Sequence, residues 1–254
     1  MTLDSLPYDP ITLAWIALVL LVAGTVKGVV GLGLPTITLA LLTATLGLKD
    51  AMAILLIPSI VTNVFQMARG GAFRALCRRL WLFLVLLAAG CVLASGAVAV
   101  VDAVWLSGLL GVSIVLYAML GLATPPWPKP GRREIWLSPA VGAVTGLLTG
   151  LTGSFVMPSV PYLQALGLPR DHLVQAMGIT FMVATLALAV GLGGRGLVSD
   201  GTVTVSVLAT LPALGGLWIG TCLRGTLSDR LFRKVLFTSL VLVGVWIVIK
   251  AGTF

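Results

Sequence analysis

Lys27 stands in the stretch Gly24-Thr25-Val26-Lys27-Gly28-Val29-Val30-Gly31-Leu32-Gly33-Leu34-Pro35, roughly 17 residues into an apolar run that begins at Ile11. A lysine at membrane depth costs about 2.5 to 3.5 kcal/mol on insertion scales, and such a residue usually faces a bundle interior or a water-filled cavity. Its ammonium can bind an anion, hydrogen-bond backbone carbonyls, or snorkel to the interface. Against about 20 residues for a whole crossing, the depth of Lys27 disfavours snorkelling. The glycines also have two uses: close helix packing at four-residue spacing, or positive φ at a helix break beside Pro35, which lacks an N–H. A break frees backbone donors, and it is tolerated at membrane depth only inside protein or against an aqueous cavity. The chemistry on offer is anion binding by Lys27 and Gly28, the Thr25 hydroxyl, and the amides of Gly31, Gly33 and Leu34.

The elements that position this stretch are apolar spans. The 254 residues are 59% hydrophobic and 9% charged, with a mean hydropathy of +1.13, against roughly 25% charged for a soluble domain. The run Ile11 to Leu48 is too long for one crossing and too short for two, so it predicts a helical hairpin broken near Gly31 to Pro35. Spans follow at Ala51 to Ala68, Leu80 to Val101 and Val104 to Ala123, with a basic loop Arg69 to Arg79 and a short turn at Asp102. Pro125, Pro126, Pro128 and Pro130 beside Lys129, Arg132 and Arg133 read as a non-helical connector. After it the pattern repeats: Ile135 to Leu168, interrupted around Gly150 to Pro161, then spans near His172 to Leu192, Thr202 to Leu223 and Leu231 to Lys250. Leu46-Gly47-Leu48 and Leu166-Gly167-Leu168 end the two hairpins alike, with Asp50 and Asp171 following.

The net charge of +8 belongs to short loops, which points to topology rather than to nucleic acid. Placing Arg69 to Arg79, Lys129 to Arg133 and Arg224 to Lys234 on the cytoplasmic side requires each hairpin to return to its own side. Both termini then fall outside. Equivalent loops of the two halves alternate in charge, so the repeats are inverted, a plan common among secondary transporters with a midplane site. The predicted fold is an all-α polytopic membrane protein of two inverted repeats, each a broken helical hairpin followed by three transmembrane helices. They occupy 1–123 and 135–254, joined by a cytoplasmic connector over 124–134. The first ten residues hold Asp4 and Asp9 and no basic residue, so no cleavable signal is expected.

The second break offers Thr149, Thr152, Gly153, Ser154 and the amides before Pro158, and both breaks are expected to meet one cavity near the midplane. Half-helix N-termini carry about half a positive charge and favour anions. One cation, several donors and no carboxylate inside any span favour an anion over a cation. Ser59, Thr62, Asn63 and Gln66 on the next span, with Gln175, Thr180 and Thr185 in the second half, either close the site or make ordinary interhelical hydrogen bonds of about 0.6 kcal/mol each. An intramembrane enzyme needs a nucleophile with a base or a metal cluster. The only histidine, His172, sits at a span boundary, and Cys77, Cys91 and Cys222 lack metal or disulfide spacing. No cofactor or metal is expected. The expected partners are a small anionic substrate and the lipid bilayer, with a homodimer left open. An anion channel and a structural membrane partner are the competing classes.

Three motifs resemble one family. Val26 to Pro35, Ile57-Pro58-Ser59-Ile60-Val61-Thr62-Asn63 and Val160-Pro161-Tyr162-Leu163-Gln164-Ala165-Leu166-Gly167-Leu168 are similar to segments of the sulfite exporter TauE/SafE permeases, in the same two-repeat layout. The resemblance implies a bacterial inner-membrane permease or exporter for small sulfur-containing or organic anions such as sulfite, sulfoacetate or sulfonates. Gly153-Ser154-Phe155 departs from the family, where many members carry a run of glycines.

Overall fold

A computed structural model describes residues 7–123, 128–223 and 229–252, with the side chains of 229, 230, 232 and 233 left out of the description. Pro125 and Pro126 of the predicted connector and residues 224–228 of the predicted third basic loop lie outside the described residues. Among the described residues eleven α-helices follow one another: α1 Pro10–Val30, α2 Leu34–Leu46, α3 Leu48–Met67, α4 Phe73–Ala94, α5 Ala97–Val100, α6 Ala103–Ala123, α7 Glu134–Thr152, α8 Ser159–Ala165, α9 Arg170–Gly193, α10 Asp200–Leu223 and α11 Asp229–Gly252. Among the described residues, eight helices are long and apolar enough to cross a membrane, and the chain is a multi-pass membrane protein.

The first hairpin breaks where the sequence predicts. Gly31 ends α1 at φ 78°, and Gly33 opens α2 at φ 110°, a left-handed backbone that glycine adopts without a Cβ penalty. In the second half Gly153 caps α7 at φ 73°, and the interruption narrows to 153–158. Gly31 and Gly153 close their helices in the same way, donating to the carbonyls of Lys27 and Thr149. The predicted loop over Arg69 to Arg79 is corrected. Helix α4 begins at Phe73, so Arg74, Arg78 and Arg79 belong to its first turns. Arginine is a good helix former, and its stem covers apolar surface while the guanidinium reaches water.

Hydrogen bonds fix the direction of each hairpin. Trp15 Nε1 donates to Thr45 Oγ1 at 3.2 Å, Lys250 Nζ donates to Ala44 O at 3.3 Å, and Tyr8 bonds Asp50 and Thr202. These contacts gather the start of α1, the end of α2 and the starts of α3 and α10 on a first face. Burial, then the Asp50 carboxylate, pushes the Tyr8 phenol up to about 12. On the second face Arg79 bonds Glu134 in a bidentate ion pair at 2.7 Å, and Gln175 binds Met67 O and Ala72 N–H at 2.8 Å each. Helix α1 therefore enters from the first face and α2 returns there, while α7 enters from the second and α9 restarts there.

Close packing runs through glycine stripes. A Cβ on Gly24 or Gly28 would overlap the backbone of Ala213 or Leu217, and one on Gly216 or Gly220 would overlap that of Leu21 or Thr25. Gly142, Gly146 and Gly150 of α7 meet the backbone of Phe83, Leu87 and Cys91 in α4 in the same manner. The remaining large interfaces pair α6 with α11, α3 with α9, α3 with α10, and α4 with α9. Such pairings suit a lipid solvent, where association relies on van der Waals approach rather than on hydrophobic burial.

Helix α3 carries a proline inside it, and α10 repairs the damage. Pro58 cannot donate to Ile54 O; Ser206 Oγ donates to that carbonyl at 2.8 Å and accepts from Ile57 N–H at 3.2 Å.

Because backbone blocks the added carbon, Gly146→Val and Gly216→Val are expected to destabilise by about 1–3 kcal/mol or more. Gly193→Ala, where the added carbon meets nothing within 4 Å, should stay within about 0.5 kcal/mol of the parent. Thermal unfolding of the purified protein in detergent checks both, and equal stability of all three variants would contradict the backbone-contact account.

Candidate functional site

The Lys27 side chain lies between α1 and α3 at 3% exposure. Its ammonium donates to Thr62 Oγ1 at 3.0 Å and to Asn63 Oδ1. Thr62 is set up to accept, because its own proton goes to Pro58 O at 2.8 Å. Both partners are neutral, and the one ion pair among the described residues, Arg79 with Glu134, belongs to other helices. Buried charges ordinarily require an opposite charge or a full set of hydrogen bonds. Lys27 thus touches no carboxylate among the described residues. The amide nitrogen of Asn63 is buried with no protein partner.

Beside Lys27 opens a cavity of about 620 Å³. Lys27, Gly28 and Gly31 of the first hairpin line it with Thr62 and Gln66 of α3. Gln66 Nε2 ties the break to α9 by donating to Gly31 O at 3.0 Å and to Val174 O at 3.1 Å, while its Oε1 is buried without a partner. The exposed Arg69 and Arg170, with Asp171, line the cavity from the second face. The opposite wall is one stripe of α10, Leu214, Leu217, Trp218 and Thr221, whose i, i+3, i+4, i+7 spacing is a single helix face.

The sequence-predicted residues divide into two groups. Lys27, Gly28, Gly31, Thr62 and Gln66 reach the cavity, and Asn63 holds the lysine. Gly33, Leu34, Thr152, Gly153, Ser154, Gln175 and Thr180 are not among the lining residues. Gly33 faces the side chain of Val26, Leu34 is fully buried, and Gly153 faces Met52 and Leu39. The residues named at the second break therefore do not line the cavity beside Lys27, whereas Gly31 of the first break does. Helices of 21 and 19 residues precede the breaks, and at 1.5 Å per residue each is about 30 Å long, a whole core thickness. The first break lies toward the second face and the second, with Gly150 against Cys91 and Ser95, toward the first.

Local hydrogen bonds account for the displaced hydroxyls. Thr25, Thr149 and Thr152 donate to the carbonyls of Leu21, Thr145 and Leu148 in their own helices, the usual back-bond of a helical threonine. Ser154 Oγ and Thr180 Oγ1 are buried without partners, away from the cavity lining. Gln175 spends both ends of its amide on the 67–72 connection, so its observed role is a brace. Arg69, Arg170 and the α10 stripe were missed as site residues, the arginines because they read as topological charges. The signal for α10 was its Gly216 and Gly220, spaced like Gly24 and Gly28.

The family model described as sulfite exporter TauE/SafE matches residues 16–247. No curated protein and no solved structure matches the chain.

Two substitutions separate ligand from brace. Asn63→Leu removes an acceptor from a buried ammonium and should cost about 1–3 kcal/mol. In a Lys27→Met background the same change should cost measurably less. Gln175→Leu should lower stability by about 1–3 kcal/mol and leave the anion affinity of the folded protein unchanged. Chemical unfolding and ligand titration of the purified variants check these values. Additive effects at 27 and 63, or lost affinity at 175, would contradict the assignment.

Proposed function

The chain belongs to the sulfite exporter TauE/SafE family, a family of transporters rather than enzymes, and on that premise we propose that it moves a small anion across the bacterial inner membrane by alternating access. Sulfite, an organosulfonate or a related organic acid is the substrate. The observation that carries this reading is the Lys27 ammonium, buried on the neutral oxygens of Thr62 and Asn63 beside a cavity of about 620 Å³. An anion entering that cavity meets Lys27, which forms no ion pair among the described residues, and Arg69 and Arg170, which outnumber Asp171 along the lining. In a low-dielectric interior such a pairing is worth far more than in water. The exposed Arg69 and Arg170 raise local anion concentration at the approach, an effect that salt screens within about 10 Å at 0.1 M.

The helix pairings support two inverted repeats, 1–123 and 135–254, joined by the 124–134 connector. Exchanging the halves maps α1 against α10 onto α7 against α4, and α3 against α10 onto α9 against α4; α3 with α9 and α6 with α11 map onto themselves. Arg69, Arg74, Arg78, Arg79, Arg132, Arg133 and Arg170 all belong to the second face, so the positive-inside rule makes it cytoplasmic. The cavity beside Lys27 then opens to the cytoplasm, and both termini are periplasmic. The second break is the counterpart on the periplasmic side, with the unpartnered hydroxyls of Ser154 and Thr180 as the groups that engage the anion in the alternate state.

In proteoliposomes the protein should carry saturable sulfite or sulfonate flux. Lys27→Met, which removes a charge-assisted hydrogen bond of about 1.5–3 kcal/mol, should weaken binding by about 10- to 150-fold. Unsaturable conductance would indicate a channel, and unchanged affinity in a folded Lys27→Met protein would remove Lys27 from the site.

In a background lacking native cysteines, Lys49→Cys should react with an impermeant thiol reagent from the periplasm, and Arg132→Cys only from the cytoplasm. The reverse pattern would refute the orientation.

A further inference from the structure

Bare sulfite leaves most of this cavity without a role. A four-atom oxyanion displaces roughly two waters, about 60 Å³ at about 30 Å³ each. The cavity offers about 620 Å³, within the range of about 300–1,000 Å³ found for pockets that hold whole organic ligands. The lining joins polar groups, Lys27, Thr62 and Gln66, to apolar ones, Phe65, Val174 and the α10 residues Leu214, Leu217 and Trp218. The α10 residues lie next to the lysine, because Gly28, one residue away, brings the α1 backbone against the Leu217 carbonyl. A hydrated oxyanion has no favourable use for that apolar wall.

We propose that the cavity selects an organic anion with a hydrocarbon body of several carbons, its charged head on Lys27 and its body along Leu214, Leu217 and Trp218, over a bare oxyanion. The inference rests on reading the cavity as the anion site, and it adds the part of the ligand that the charge does not recognise. Burying one methylene against the α10 stripe tightens binding about fourfold, the equivalent of about 0.8 kcal/mol.

The experiment is a titration of the purified full-length protein in nanodiscs with sulfite and with methane-, ethane-, propane- and butanesulfonate. Butylammonium serves as the cationic control. Affinity is expected to rise about fourfold per carbon, roughly 60-fold from methane- to butanesulfonate, with sulfite among the weak binders and butylammonium without effect. Lys27→Met should weaken the whole series by a similar factor. Leu217→Ser should flatten the dependence on chain length. Trp218→Ala, at an exposed position, supplies the same readout if Leu217→Ser does not fold. Sulfite binding with a flat or falling sulfonate series overturns the inference and leaves the anion site standing. Failure of every anion to bind overturns both. A rise for butylammonium equal to that for butanesulfonate also overturns the inference, because it shows partitioning without recognition of the charged head.

Discussion

An ammonium cannot sit in a low-dielectric interior without oxygens around it, and the placing of Lys27 depends on meeting that requirement. Thr62 and Asn63 supply the oxygens, and they face α1 because α3 continues past Pro58 instead of ending there. The helix survives its proline because Ser206 of α10 takes over the orphaned Ile54 carbonyl. Helix α10 in turn lies close enough to do this, and to wall the cavity, because it meets α1 glycine to glycine. One buried lysine thus draws together a break, a proline inside a helix, a helix pair and a cavity.

The glycines of the central stretch serve two separate purposes. Gly24 and Gly28 allow the backbones of α1 and α10 to touch, while Gly31 and Gly33 adopt positive φ and end one helix and begin the next. The two uses are neighbours for a reason. A helix held rigidly at backbone distance delivers its C-terminal turn, and the lysine on it, to a defined place. The equivalent arrangement in α7, where Gly142, Gly146 and Gly150 touch α4 and Gly153 ends the helix, presents Thr149 at the position that Lys27 occupies in α1. The charge is therefore one-sided even though the packing is shared.

Hydroxyls at membrane depth are poor guides to ligands. Thr25, Thr62, Thr145, Thr149, Thr152, Thr185 and Thr210 all donate to the carbonyl four residues earlier. With the proton spent, what remains is a lone pair, suited to a cation such as Lys27 rather than to an anion. The Asn63 amide, by contrast, keeps a buried nitrogen that the protein leaves unpartnered.

Composition alone determined that this chain crosses a membrane many times, since 59% apolar residues cannot be covered by any water-soluble fold of this size. The positions of the two breaks were equally legible, because clustered glycines and prolines within an apolar run leave the backbone few alternatives. So was Lys27, because an isolated lysine at that depth has no inexpensive explanation. Which side of each helix faces protein was not legible. Lipid and protein interior are both apolar, so the periodic contrast that marks a buried face in water is nearly absent from these spans. Only the tertiary structure decided that Gln175 braces a connection, that Arg69 and Arg170 approach the cavity, and that α10 forms its wall. It also decided that the two breaks lie toward opposite faces, because that depends on which helix ends pack around each break, the first against Gln66 and Val174 and the second against the end of α4.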